Sequence, residues 1–435
     1  MKEVIRLIYK TRTIARVATP SFPSHQPMQL EITFWTVAYC GTTAHHNRNH
    51  KMSGPQPPRA SQTVSHMSKA QISTELSAAI QSGTGKNARQ DYKTMTAVLI
   101  HFKNDDIGCE DLEKQLAEVF KNFYGFHNII RLLLKDYENP IGVIWGVLSD
   151  LVAKGFAKKN CLVVVVFAGH GKALPVYTSS SVRGPEYVLK LGGALRHDGR
   201  FKTRELDWKM ATSLLGTEQC DVLHILDCCY AAEGMNLDAE LLAAATETAS
   251  ADAKTCFTAA LCHQLHLMSS QQFTVSTLYQ SLMTDRRALK LKYIPFHSYR
   301  DGKPSIILGG SRGKAAVVPP LKPDSPRILL TAHLEGPLDK GSVEGLKKWL
   351  NEQLPYSIMN MEIKLEGVWD ASSTVLLFSI PITVWTQLNR NNTAFNYVGE
   401  VTSYNKLLEQ GTTTLSVRPP QGSENLKPGE SSGQK

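Results

Sequence analysis

From about Lys93 the chain alternates short apolar runs with amphipathic stretches, which predicts strands interleaved with helices and hence a mainly parallel sheet. Met95–Phe102 (MTAVLIHF) reads as a strand; Leu112, Leu116, Val119, Phe120 and Phe123 then recur at helical spacing and form one apolar helix face. His127–Leu134 reads as a second strand. Asn139-Pro140 supplies a cap residue and a first-turn proline for a helix carrying Ile141, Ile144, Leu148 and Leu151. Leu162–Phe167 (LVVVVF) and Val222–Leu226 (VLHIL) are almost wholly apolar, as strands covered by helices on both faces must be. Leu241–Ala245 is expected to add a strand, Thr255–Met268 and Thr274–Thr284 two helices, and Ser305–Leu308 a last strand.

The pattern divides the chain. Residues 1–92 mix Ser, Thr, Gln, His, Pro and Gly without sustained periodicity and read as a disordered leader; residues 93–310 form the α/β body. Small residues and prolines mark a linker over 311–325. A second unit is expected over 326–418, with strand 327–334, helix 342–354, strands 359–368 and 374–380, a short helix 383–389 and strand 396–401. That succession, β-α-β-β-α-β, predicts a small α+β domain of ferredoxin-like order. Its helix face Val343, Leu346, Trp349 and Leu350 suits packing on its own sheet, and residues 419–435 read as a disordered tail.

With 42% hydrophobic and 20% charged residues over 435 positions, a sizeable folded core is available. The net charge is +9, but residues 1–92 hold eleven Lys/Arg against four Asp/Glu, so the basic excess belongs to the leader. Its basic residues are scattered and no basic–aromatic platform accompanies them, so nucleic acid is not an expected partner. No apolar run approaches membrane-spanning length, and no membrane partner is expected. The eight cysteines lack framework spacing, which suits free thiols and a cytoplasmic location.

In an open α/β sheet the working residues gather at the carboxyl ends of the central strands. Two ends carry chemistry here. Val163–Lys172 (VVVVFAGHGK) ends in His170 between two glycines, and Val222–Ala232 (VLHILDCCYAA) ends in Asp227, Cys228 and Cys229. A thiol with a pKa near about 8.5 is a poor nucleophile at neutral pH until an imidazole takes its proton, so Cys and His must meet in space. His170 precedes Cys229 by 59 residues, near the roughly 50 of the caspase pattern.

These two motifs resemble the caspase and metacaspase clan of cysteine peptidases, and are most similar to fungal caspase-domain proteins, whose active strands read like GHG and LLDCCYA. The resemblance covers roughly residues 95–310. It implies a caspase-hemoglobinase fold and peptide cleavage through an acyl-enzyme, with Cys229 attacking and His170 as general base and acid. It also implies backbone amides of Gly171 and Cys229 as the oxyanion hole, and no acidic third member. Asp227 corresponds to the acid that helps bind a basic P1 side chain in metacaspases, so a polypeptide cut after Arg or Lys is the expected substrate. The sequence departs from the metacaspase pattern in reading Asp-Cys-Cys-Tyr-Ala-Ala and in having Ala168 where a hydroxyl would stand. The animal Gln-Ala-Cys-x-Gly signature is absent, which disfavours cleavage after Asp.

No cofactor or metal is expected, although the likeness to metacaspases leaves calcium activation open, as well as processing near Glu233–Glu240. Cys40 with His45, His46 and His50 lacks a fourth ligand for a zinc site. Ser82–Asn87 (SGTGKN) lacks the spacing of a phosphate loop, and Asp105, Asp106 and Asp111 read as turn and helix-start acids, the alternative being added acidity at the pocket or metal affinity. The competing reading is a catalytically inactive caspase-fold scaffold that binds a protein partner through the C-terminal domain.

Overall fold

The computed structural model describes residues 65–85, 88, 91–177, 186–235, 238–246, 256–300, 302–309, 325–353, 362–370, 373–388, 392, 394–403 and 405–406. The leader over 1–64, most of the linker and the expected tail lie outside these residues, as do Cys40 and its neighbouring histidines.

The first described helix, α1 (Lys69–Gly83), corrects the reading of a leader without order to residue 92. Ser68 and Gln71 close a capping box, satisfying two helix-start N–H groups at once. Ile72, Leu76, Ala79 and Ile80 then fall on one buried face.

The body follows as β1 (Thr94–Phe102), α2 (Cys109–Phe123), β2 (Asn128–Leu134), α3 (Pro140–Ala153) and β3 (Cys161–Ala168). A hairpin, β4 (His170–Val176) and β5 (Glu186–Gly192), is completed by β6 (Leu206–Asp207). Then come α4 (Trp208–Gly216), β7 (Asp221–Asp227), β8 (Glu240–Ala243), α5 (Phe257–Leu267), β9 (Gln272–Thr274), α6 (Val275–Thr284), β10 (Phe296–Ser298) and β11 (Ile307–Gly309). Asn139 caps α3 by accepting from the Gly142 N–H, with Pro140 in the first turn.

Six strands form the main sheet in the order β10-β8-β7-β3-β1-β2. Neighbours from β2 to β8 run parallel and β10 lies antiparallel at the edge. Along β3 the side chains Leu162, Val164 and Val166 enter one core, while Val163, Val165 and Phe167 enter the other. The period-two alternation therefore buries both faces, so the strand has no polar position to spare. Phe120 of α2 and Leu261 and Leu265 of α5 line the first core; Ile144 and Leu148 of α3 and Leu215 of α4 line the second. The expected last strand is corrected: Ile307–Gly309 pairs with β9 in a separate two-stranded sheet, and the sheet edge is β10.

The C-terminal unit comprises β12 (Arg327–Leu334), α7 (Lys340–Gln353), β13 (Lys364–Asp370), β14 (Thr374–Pro381), α8 (Ile382–Trp385) and β15 (Phe395–Val401). Its sheet has the order β13-β14-β12-β15, with every neighbouring pair antiparallel. The helix expected over 383–389 is a single turn, α8. The unit is not a separately cored appendage, because Leu330, Leu346 and Phe378 belong to the same hydrophobic cluster as Leu76 of α1 and Leu242 of β8. Buried polar groups bind across the junction: Gln280 of α6 donates to the Pro326 carbonyl (3.1 Å) and accepts from the Thr383 N–H (3.2 Å). Helix α1 joins the same assembly, with the Met67 N–H donating to the His333 carbonyl (2.9 Å) and the Ser82 hydroxyl to Gln387 Oε1 (2.6 Å). Among the described residues no helix is long and apolar enough to cross a membrane.

Candidate active site

Strands β3 and β7 are nearest neighbours and end side by side, Ala168 opposite Asp227. Gly169 then turns the chain out of β3. Its φ of +154° is one that side-chain-bearing residues rarely adopt, and a Cβ there would lie 2.8 Å from Phe167 Cζ. Its N–H remains bound to the Asp227 carbonyl at 3.1 Å. His170, the first residue of β4, is thereby set at the carboxyl edge of the sheet, partly exposed.

Gly171 meets the other strand end directly. A Cβ at this position would sit 2.2 Å from the Cys229 carbonyl oxygen and 3.0 Å from Cys228 Sγ. Only a residue without a side chain lets the backbones of segments 170–171 and 228–229 touch. The two motifs read from the sequence are therefore brought together.

The adjacent thiols differ sharply. Cys228 is 1% exposed, and burial, reinforced by Asp227 and Cys229, pushes its thiol well above the ordinary range. Burial likewise pushes the thiols of Cys220, Cys256 and Cys262 up to about 12, and that of Cys109 higher still. Among the described cysteines Cys229 is the one not buried. It is followed by Tyr230 at φ 56° and ψ 25°, a left-handed conformation that costs a bulky residue energy and opens the 3₁₀ turn Ala231–Gly234.

Asp227 lies at the buried carboxyl end of β7. It is 7% exposed, and its Oδ2 accepts from the Thr258 N–H (2.8 Å) and the Thr258 hydroxyl (2.7 Å) at the start of α5. Burial raises its carboxyl above the usual range, with the Thr258 hydrogen bonds opposing that rise. The carboxylate is thus committed to the interior of the fold.

Of the three acids read first as turn and helix-start residues, one reaches His170. Asp106, in the loop after β1, pairs through Oδ1 with His170 Nε2 at 2.5 Å, across 64 positions of sequence. The neighbouring acids have other work: Asp105 accepts from the N–H groups of Ile107 (3.0 Å) and Cys109 (2.5 Å), and Asp111, in the first turn of α2, is an exposed partner of Lys114. The signal available beforehand was position, since β1 adjoins β3 and its carboxyl end opens on the same edge. Among the described residues no group of three or more His, Cys, Asp or Glu side chains could hold a metal ion.

No protein-family model matches the sequence, and none of the curated proteins compared with it is significantly similar. Among solved structures the chain is similar to the Drosophila initiator caspase Dronc, at 10% identity and a TM-score of 0.35, over 51% of this chain and 89% of that one. It is similar to caspase-1 from Spodoptera frugiperda at 12% identity and a TM-score of 0.34, over 49% and 92% of the two chains. The protein GSU0716 from Geobacter sulfurreducens gives 14% identity and a TM-score of 0.33, over 50% and 94%. Likenesses this distant carry no argument about activity, which rests on the residues of this chain.

Proposed function

We propose that the chain is a cysteine endopeptidase that cleaves polypeptides with Cys229 as nucleophile and His170 as general base and acid, on a caspase-like body joined to a ferredoxin-like C-terminal unit. The observation that carries the reading is the close approach of Gly171 to the Cys229 carbonyl, which joins the two strand ends. Cys229 is also the unburied thiol among the described cysteines, the state a nucleophile needs. In the proposed reaction His170 takes the Cys229 proton, the thiolate attacks the scissile carbonyl carbon, and the carbonyl π electrons move to oxygen. Backbone N–H groups of Gly171 and Cys229 would hold that oxyanion. The imidazolium gives its proton to the leaving amine, and water, deprotonated by His170, hydrolyses the thioester.

By resemblance the expected P1 residue is Arg or Lys, with Asp227 as the acid that helps bind it. The test is hydrolysis of short peptides with Arg, Lys or Asp at P1, with and without calcium, by the intact chain, Cys229→Ala and Cys228→Ala. Activity abolished by Cys229→Ala and retained in Cys228→Ala supports the peptidase. No cleavage by the intact chain, with calcium or after limited proteolysis, leaves the non-catalytic scaffold as the better reading.

A further inference from the structure

His170 needs more than proximity to act as a base: its ring must be held in one orientation and one tautomer. The loop that carries Asp106 is built to do this. The Asp105 carboxylate binds the Ile107 and Cys109 N–H groups, which ties the loop to the start of α2. The Ala194 N–H donates to the Asn104 carbonyl at 2.7 Å, which ties it to the segment after β5. The nearby backbone N–H groups of Asp106 and Leu195 favour its charged form. With the backbone held at both ends, the carboxylate faces the imidazole.

The chemistry of the contact is one-sided. Desolvation acts to raise the Asp106 carboxyl, but its bonds to His170 and to the backbone outweigh this and hold it below its ordinary range, so at neutral pH it is an acceptor only. His170 Nε2 must then be the donor, which leaves Nδ1 as the basic nitrogen. The other ionisable groups at this end of the sheet do not compete for Nε2. Lys172 is turned to the Gly199 carbonyl and lies over the Phe201 ring, Asp227 is turned to Thr258, and the Cys228 thiol is buried.

Resting on the peptidase reading, we propose that Asp106 is a positioning residue for His170: it accepts the Nε2–H, keeps Nδ1 free to take the Cys229 proton, and stabilises the imidazolium until that proton passes to the leaving amine. This adds a third member to a pair that the resemblance alone describes as needing none.

The experiment uses the full chain with Asp106→Asn, Asp106→Glu and, as control, Asp111→Asn at an exposed helix-start acid. Three readouts are taken: the NMR titration of the His170 ring, assigned by its loss in His170→Ala; the pH dependence of Cys229 alkylation by iodoacetamide, read by mass; and kcat and KM on the cleaved peptide. Asp106→Asn is expected to move the His170 ring signals in that experiment and the alkylation profile with them. It should reduce kcat by about 10²-fold with KM little changed, while Asp106→Glu recovers part of each effect and Asp111→Asn matches the native chain. A His170 titration and alkylation profile unchanged in Asp106→Asn would overturn the proposal. Shifts in both without peptide cleavage by the native chain would uphold the pairing and sink the peptidase reading instead.

Discussion

Replacing Gly171 by alanine tests the convergence of the two strand ends with a single methyl group. Gly171 is not among the glycines of left-handed φ, so the substitution is not strained by torsion and its effect is steric. The added carbon would sit 2.2 Å from the Cys229 carbonyl oxygen, with Cys228 Sγ at 3.0 Å and Cys228 Cβ at 3.2 Å. That is about 1 Å inside ordinary contact with a backbone atom, which cannot swing aside as a side chain would. Overpacking of this kind costs about 1–3 kcal/mol, and a displacement of about 1 Å at the reacting groups lowers turnover by about 10²-fold. The assays are urea unfolding, the rate of Cys229 alkylation and kcat/KM on the best peptide. Gly146→Ala serves as the control, because nothing lies within 4 Å of its added carbon on the surface of α3; there alanine should stabilise the helix by about 0.5–1 kcal/mol. A Gly171→Ala chain as stable, as readily alkylated and as active as the native one would mean that the segments do not touch, and the active-site geometry would be wrong.

Asp227→Ala removes the acceptor of two buried Thr258 donors and should cost about 1–3 kcal/mol, whereas Asp227→Asn, whose amide oxygen can accept both, should be milder. Because burial raises the Asp227 carboxyl, its contribution to stability is fullest at low pH, where it is neutral in both states, and is lost as pH rises through the raised pKa. The stability of the native chain relative to Asp227→Asn should therefore fall with rising pH; a flat difference between about pH 4 and 8 would refute the burial argument. Leu76→Ala in α1 empties a fully buried site and should cost about 2–5 kcal/mol in chemical unfolding. A loss well under 1 kcal/mol would place that helix outside the cooperative fold.

What was legible in the sequence was whatever the local pattern dictates. A run such as Cys161–Ala168 is apolar at every position, which suits a strand buried on both faces, and the glycine-flanked His170 that follows it and the Asp-Cys-Cys end of β7 mark the carboxyl edge by pattern alone. Asn139-Pro140 marked a helix start through backbone chemistry alone. Among the elements that escaped, β10 has three residues, β4 contains a proline, and α1 sits in a polar stretch although Ser68, Gln71, Ile72 and Leu76 carry its signals. Tertiary structure decided the rest, because those choices depend on neighbours remote in sequence. Asp106 reaches His170 across 64 positions, and Asp227 turns inward because Thr258, 31 residues on, offers two donors. The C-terminal sheet shares the core of the body because α1 and α6 present apolar and polar groups that fit it. Periodicity states which residues are buried, but only the packed fold decides against what, and that choice gives a carboxylate its role.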